Sequence, residues 1–203
     1  MDKIHYYDGE IYKRIIDPNL AGLRNEILSC IKNCNKCIDI GSGTGALVIG
    51  LGSICKSVIG IDLSSKMIEI ASKTKTEMTL TNVDFIHGGI DVLKTFEDGE
   101  FDFATFSMSL HEMEESERFL VLNEGLRIAR EVIIADYLIK AKTFFSDLGV
   151  IFVEFVAGLN HFKNYINFRQ HGGIQYLIER TNAKVISRRT YSTIFEIVRL
   201  SKY

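Results

Sequence analysis

The chain has 203 residues, 46% hydrophobic and 25% charged, a balance that suits one soluble domain with a real core and excludes intrinsic disorder and collagen-like structure. Its 24 Lys and Arg against 26 Asp and Glu leave a net charge of -2, without the basic excess that a phosphate-dominated nucleic-acid partner demands. The opening MDKIHYYDGE is polar and no apolar run reaches the about 18 residues of a membrane span, so the expected location is the cytoplasm and no membrane partner is expected.

In chain order, residues 1–30 read as N-terminal cap helices ahead of the first strand. CIDIGSG (37–43) reads as a buried strand running into a glycine turn, with a helix over 44–53. SVIGID (57–62) is a second strand, and SSKMIEIASKTK (64–75) a helix opened by a serine cap. VDFIHG (83–88) and FDFATFSMSL (101–110) are a third and fourth strand. ESERFLVLNEGLRIAR (115–130) is an amphipathic helix, EVIIADY (131–137) a fifth strand, and 183–201 a strand hairpin. Near-continuous apolar strands alternating with helices indicate one α/β domain: a Rossmann-like parallel sheet, helices on both faces, and a C-terminal antiparallel hairpin. Residues 138–182 break the rhythm and hold six of the thirteen Phe residues. That insertion reads both as a helix packing its aromatics on the core and as an aromatic lid over a substrate pocket or a dimer surface, readings that are compatible; monomer and homodimer are both open.

Asp39-Ile40-Gly41-Ser42-Gly43-Thr44-Gly45 sits where a strand becomes a helix. Glycines let the backbone approach a ligand, and the helix start offers N–H groups and partial positive charge. Asp62 ends the next strand, where a carboxylate accepts bonds from ribose hydroxyls. Together they imply a nucleoside-containing cofactor. Gly41-x-Gly43-x-x-Ala46 also fits the dinucleotide fingerprint, which keeps an NAD-dependent oxidoreductase as an alternative. The acid at Asp39, the third glycine at Gly45 and the terminal hairpin favour S-adenosylmethionine.

In these residues the sequence resembles the class I S-adenosylmethionine-dependent methyltransferases of the type 11-like, small-molecule kind. CIDIGSGTGALVIGL is similar to their first motif, VIGIDLSSKMIEIA to the second and FDFATFSMSLHEM to the fourth. The resemblance implies S-adenosyl-L-methionine as cofactor, with Asp39, Gly41, Ser42, Gly43 and Gly45 holding its methionine part. It implies Asp62 on the ribose, Leu63 and Met67 against the adenine, and Ser107 and Met108 beside the sulfur. Gly89 and Ile90 stand where the family has an acid near the adenine amino group; here Asp91 or backbone atoms must serve. Tyr12 matches a tyrosine that covers the cofactor.

His111 and Glu112 follow the fourth strand, and His111 suits a general base; His161 and His171 are weaker candidates. Cys30, Cys34 and Cys37 reproduce a CxxxCxxC spacing that can hold an iron–sulfur cluster, and zinc with Cys55 is conceivable. Lys36 before Cys37, and the strand that begins there, favour reduced structural thiols and no metal. The expected function is methyl transfer to a small, apolar or aromatic acceptor. The alternatives are a non-catalytic cofactor-binding sensor or scaffold and the oxidoreductase.

Overall fold

The computed structural model describes residues 17–202. A single turn α1 (Asp17–Asn19) and α2 (Ala21–Cys30) lead into β1 (Cys34–Ile40), α3 (Ala46–Gly52), β2 (Cys55–Asp62), α4 (Ser65–Glu77), β3 (Val83–His87), α5 (Ile90–Leu93) and β4 (Phe101–Ser107). A 3-10 turn at Leu110–Glu112 precedes α6 (Glu115–Ile128) and β5 (Ala129–Tyr137). Then come α7 (Phe144–Val156), α8 (Leu159–Gln170), α9 (Gly173–Glu179), β6 (Ala183–Tyr191) and β7 (Phe195–Lys202). The seven strands form one sheet in the order β3-β2-β1-β4-β5-β7-β6. β1 to β5 pair in parallel, while β7 runs antiparallel between β5 and the edge strand β6. The expected architecture is therefore the observed one, with the order reversing between β1 and β4.

Helices cover both faces, which explains the apolar runs in the strands. On β5, Val132 and Ile134 enter a core shared with Leu122 and Leu126 of α6 and Leu177 of α9. Their neighbours Ile133 and Ala135 enter the opposite core with Leu23 and Ile27 of α2 and Val48 of α3. Ser64 caps α4 as expected, its hydroxyl accepting from Met67 N at 3.3 Å. The edge strand β6 is mostly exposed and carries Lys184, Arg188 and Arg189, charges that discourage edge-to-edge pairing.

Two expectations change. Cys34 and Cys55 are joined in a disulfide, so only Cys30 and Cys37 remain thiols. The cause is register: parallel pairing of β1 with β2 sets the two residues opposite one another, with Cα atoms 4.7 Å apart, inside the range a disulfide spans. The pairing also takes Cys34 out of the CxxxCxxC spacing. The insertion is not one packed unit. Tyr165 and Phe168 of α8 are buried, whereas Phe144, Phe145, Phe152 and Phe155 of α7 are exposed. Most of the expected N-terminal cap, Tyr12 included, lies outside the described residues.

Arg118 of α6 fastens the insertion to the domain. It is fully buried and donates to Leu110 O at 2.9 Å, to Asn167 Oδ1 at 2.7 Å and to Asn164 O at 2.6 Å. One guanidinium thus satisfies the 3-10 turn and α8 together. Arg118→Met keeps the bulk and orphans these acceptors, and is expected to cost about 2–4 kcal/mol in urea unfolding. A loss below about 1 kcal/mol would show that the clamp is dispensable.

Candidate functional site

The carboxyl ends of β1 to β4 open into a cleft of about 440 Å³, the place where open α/β sheets bind ligands. Of the residues singled out in the sequence, Asp39, Gly41, Ser42, Gly43, Asp62, Leu63, Met67, Gly89, Ile90, Ser107 and Met108 line it. Gly45 does not, and neither does His111.

The glycine turn is shaped from within. Gly41 N and Ser42 N both donate to Ile61 O, at 2.8 and 2.9 Å, closing the turn against β2. Gly43 has φ +52°, and a Cβ there would meet open space, so its missing side chain leaves room for a ligand. Gly45 has φ +81°, and a Cβ there would stand 2.5 Å from the Phe85 ring; its glycine is needed for packing. Gly45→Ala adds that overlap to the strain of a positive φ and is expected to destabilise the fold by roughly 2–5 kcal/mol. Gly43→Ala carries the positive-φ strain alone, about 1–2 kcal/mol, and should act mainly on ligand affinity. Thermal unfolding and ligand titration of the two variants separate these roles; equal stability losses would contradict the assignment.

Two carboxylates flank the turn. Asp62 Oδ2 accepts from Gly43 N at 2.8 Å and its Oδ1 from Ser64 N at 2.8 Å. Asp39 is buried at the end of β1, opposite Thr105 of β4, whose hydroxyl donates to Asp39 Oδ1 at 2.6 Å. Burial, reinforced by the Asp62 charge and opposed by the Thr105 hydrogen bond, pushes the Asp39 carboxyl up to about 7. Ser42 Oγ is buried without a hydrogen-bond partner among the described residues. Met108 holds φ +56° at the end of β4, and Ser109 Oγ donates to Ile40 O at 3.1 Å. Backbone strain at this strand end is stored where the cleft is formed.

These residues fit S-adenosylmethionine. An orphaned hydroxyl and an open glycine face the glycine-turn end, a carboxylate stands at each of the first two strand ends, and Leu63, Met67 and Ile90 offer an apolar wall. Asp91, in the first turn of α5, also lines the cleft where the family's usual acid is missing.

The structure adds residues that the sequence did not mark. Leu20 and Arg24 reach the cleft from the N-terminal side, and Glu112, Met113, Glu117, Leu120 and Val121 from the 3-10 turn and α6. Leu20 and Arg24 carry no motif. Glu112 was legible only as the neighbour of His111.

His111, the general-base candidate, does not itself line the cleft. It lies behind the cleft wall, buried, with Nδ1 2.6 Å from Asp136 Oδ1 and its ring 5.4 Å from that of His161. Burial opposes its charge, but Asp136, Glu154 and Glu112 outweigh it and raise the imidazole to about 9. The ring is thus held in a buried cluster of charged groups beside the cleft. The pattern after β4 gives the right position on the strand but cannot give the side chain's direction. Glu154 is also buried, and burial raises its carboxyl. No residue of 138–182 lines the cleft; His171 is on the surface, with Nδ1 2.8 Å from Asn167 O.

A parallel sheet whose order reverses beside a glycine turn, with carboxylates near the ends of its first two strands, is the Rossmann-like fold that solved S-adenosylmethionine-dependent methyltransferases share. Residues 37–131, from β1 to the start of β5, match the family model described as a methyltransferase domain. The release factor glutamine methyltransferase of Buchnera aphidicola subsp. Schizaphis graminum is 35% identical over 80 residues, 37% of this chain and 29% of that protein. The uncharacterized methyltransferase YcgJ of Bacillus subtilis is 25% identical over 136 residues, 67% of this chain and 51% of that protein. The chain thus spans about half or less of these relatives' length. A crystal structure of a SAM-dependent methyltransferase from Aquifex aeolicus superposes with a TM-score of 0.68 at 18% identity, covering 93% of this chain and 95% of that one. Among the described residues no helix is long and apolar enough to cross a membrane.

The Asp39 carboxyl makes stability depend on pH. Its pKa rises from 3.8 to about 7 on folding, so its contribution is full below pH 3.8 and lost as pH rises through about 7. Asp39→Asn removes that loss. The Tm advantage of the ligand-free variant over wild type is therefore expected to grow between these pH values and level off above them. A Tm difference independent of pH would contradict the buried-acid assignment.

Proposed function

We propose that this chain transfers a methyl group from S-adenosylmethionine to a small, apolar or aromatic acceptor. The observation that carries this reading is the single cleft lined by the glycine turn, both strand-end carboxylates and, from α6 and the turn before it, the apolar Met113, Leu120 and Val121. Bound in this cleft, S-adenosylmethionine supplies an electrophilic methyl on a sulfonium centre.

The chain's own residues do the rest. Asp39 and the Ser42 hydroxyl receive the polar amino-acid end, and Asp62 accepts from the ribose while holding Gly43 N in place. Ser107 and Met108 border the transfer site, and the apolar side chains of α6 exclude water and orient the acceptor. Glu112 faces the cleft from the 3-10 turn and stands where a proton leaving the acceptor would be received. The small, apolar acceptor is supported by the character of this wall and by the negative net charge, which offers no attraction to a nucleic-acid substrate.

Asp62→Ala removes a charge-assisted acceptor and is expected to weaken S-adenosylhomocysteine binding roughly 10–150-fold in calorimetry. Turnover of a radiolabelled methyl group onto a panel of phenolic and other apolar acceptors tests the transfer itself. Wild type that binds the cofactor product but labels none of them would favour the sensor or scaffold reading.

A further inference from the structure

Behind the cleft wall, His111, Glu154 and His161 converge, three side chains that the methyl-transfer reading does not use, and Glu112 reaches them from the cleft. His161 Nε2 of α8 lies 3.1 Å from Glu154 Oε2 of α7, and His111 Nε2 lies 3.7 Å from the same oxygen. Glu112 Oε1 stands 3.5 Å from His161 Nε2 and 4.0 Å from His111 Nε2. The ligand atoms of His111, Glu154 and His161 all fall within 4.8 Å of one another, and all three residues are buried. Donors about 2.1 Å from one tetrahedral ion stand roughly 3.4 Å apart, and these separations bracket that value.

Three further features mark a metal site and not a packed ion pair. Glu154 is 3% exposed in the apolar run VIFVEFV; Tyr137 hydrogen-bonds its carboxylate, yet among the described residues its Oε2 has no hydrogen-bond partner and faces the two imidazoles. His111 Nδ1 is occupied by Asp136 Oδ1 at 2.6 Å, which leaves Nε2 as the ring atom aimed at the cluster. Asp136 is itself fixed, accepting from Tyr137 N at 2.7 Å and from His111 N at 3.2 Å. A carboxylate behind a histidine in this way orients it for a metal ion.

We propose that His111, His161, Glu154 and Glu112 form a binding site for a divalent first-row transition metal ion. Two imidazoles and two carboxylates suit Zn²⁺, Fe²⁺, Mn²⁺ or Co²⁺ better than Ca²⁺ or Mg²⁺, which prefer oxygen alone. Glu112 also lines the cleft, so the ion borders the acceptor end of the methyltransferase site. The site rests on its own geometry and stands or falls apart from the methyl-transfer reading.

The test uses the whole chain, treated with a chelator and titrated with Co²⁺. Wild type is expected to bind one ion, with visible ligand-field bands and no thiolate charge-transfer band. Glu154→Gln and His161→Gln should weaken binding at least roughly tenfold. Cys37→Ser should leave it unchanged, because Cys37 is a buried thiol of β1 that is not part of this cluster. Circular dichroism and S-adenosylhomocysteine affinity of the variants verify that they fold and keep the cofactor cleft. X-ray absorption of the Zn²⁺-loaded wild type needs no variant and should show two imidazole nitrogens with oxygen and no sulfur. Absence of saturable Co²⁺ binding overturns the proposal, as does binding indifferent to both substitutions or a sulfur-ligated ion.

Discussion

The site depends on one carboxylate. Asp62 accepts from Gly43 N through one oxygen and from Ser64 N through the other, each at 2.8 Å. It therefore holds the glycine turn after β1 to the opening of α4 after β2. Both N–H groups belong to backbone that has left its strand and has no ladder partner. Without that bridge the turn would lose its register against Ile61 O, and the cleft would lose the wall that Leu63 and Met67 provide. In the proposed function the same carboxylate meets the ribose, so structure and recognition would draw on one side chain.

The cleft holds its charges at unequal cost. Asp62 is partly exposed and hydrogen-bonded, whereas Asp39 is buried with one hydroxyl donor and titrates near 7. An acid held at such a cost in the empty protein gains most when a cation arrives, since the ion pair then forms where water is already excluded. In the proposed function a ligand's ammonium group would replace the water contacts that folding removed. This gives a physical reason for an aspartate, and not an asparagine, at the end of β1.

Much of this was legible in the sequence, for identifiable reasons. Strands buried on both faces read as apolar runs, the Ser64 cap announces α4, and the glycine turn lies where β1 gives way to α3. The terminal hairpin showed itself by alternation. What stayed hidden depends on pairings between distant segments. The Cys34–Cys55 disulfide follows from parallel register, which no local pattern prints. Residues 138–182 could be read as aromatic, but three helices and the burial of Glu154 and His161 against His111 required the packed chain. The one local hint was a lone glutamate inside an apolar helix. His111 shows the same limit: its place after β4 was visible, and the direction of its ring, toward Asp136 and away from the cleft, was not.

The most direct test is a crystal structure of the chain with S-adenosylhomocysteine. The ligand is expected in the cleft at the carboxyl ends of β1 and β2, its ribose hydroxyls on Asp62, its amino group toward Asp39 and its sulfur beside Ser107 and Met108. A ligand seated elsewhere, or a cleft that remains empty at saturating concentration while the fold is intact, would contradict the account.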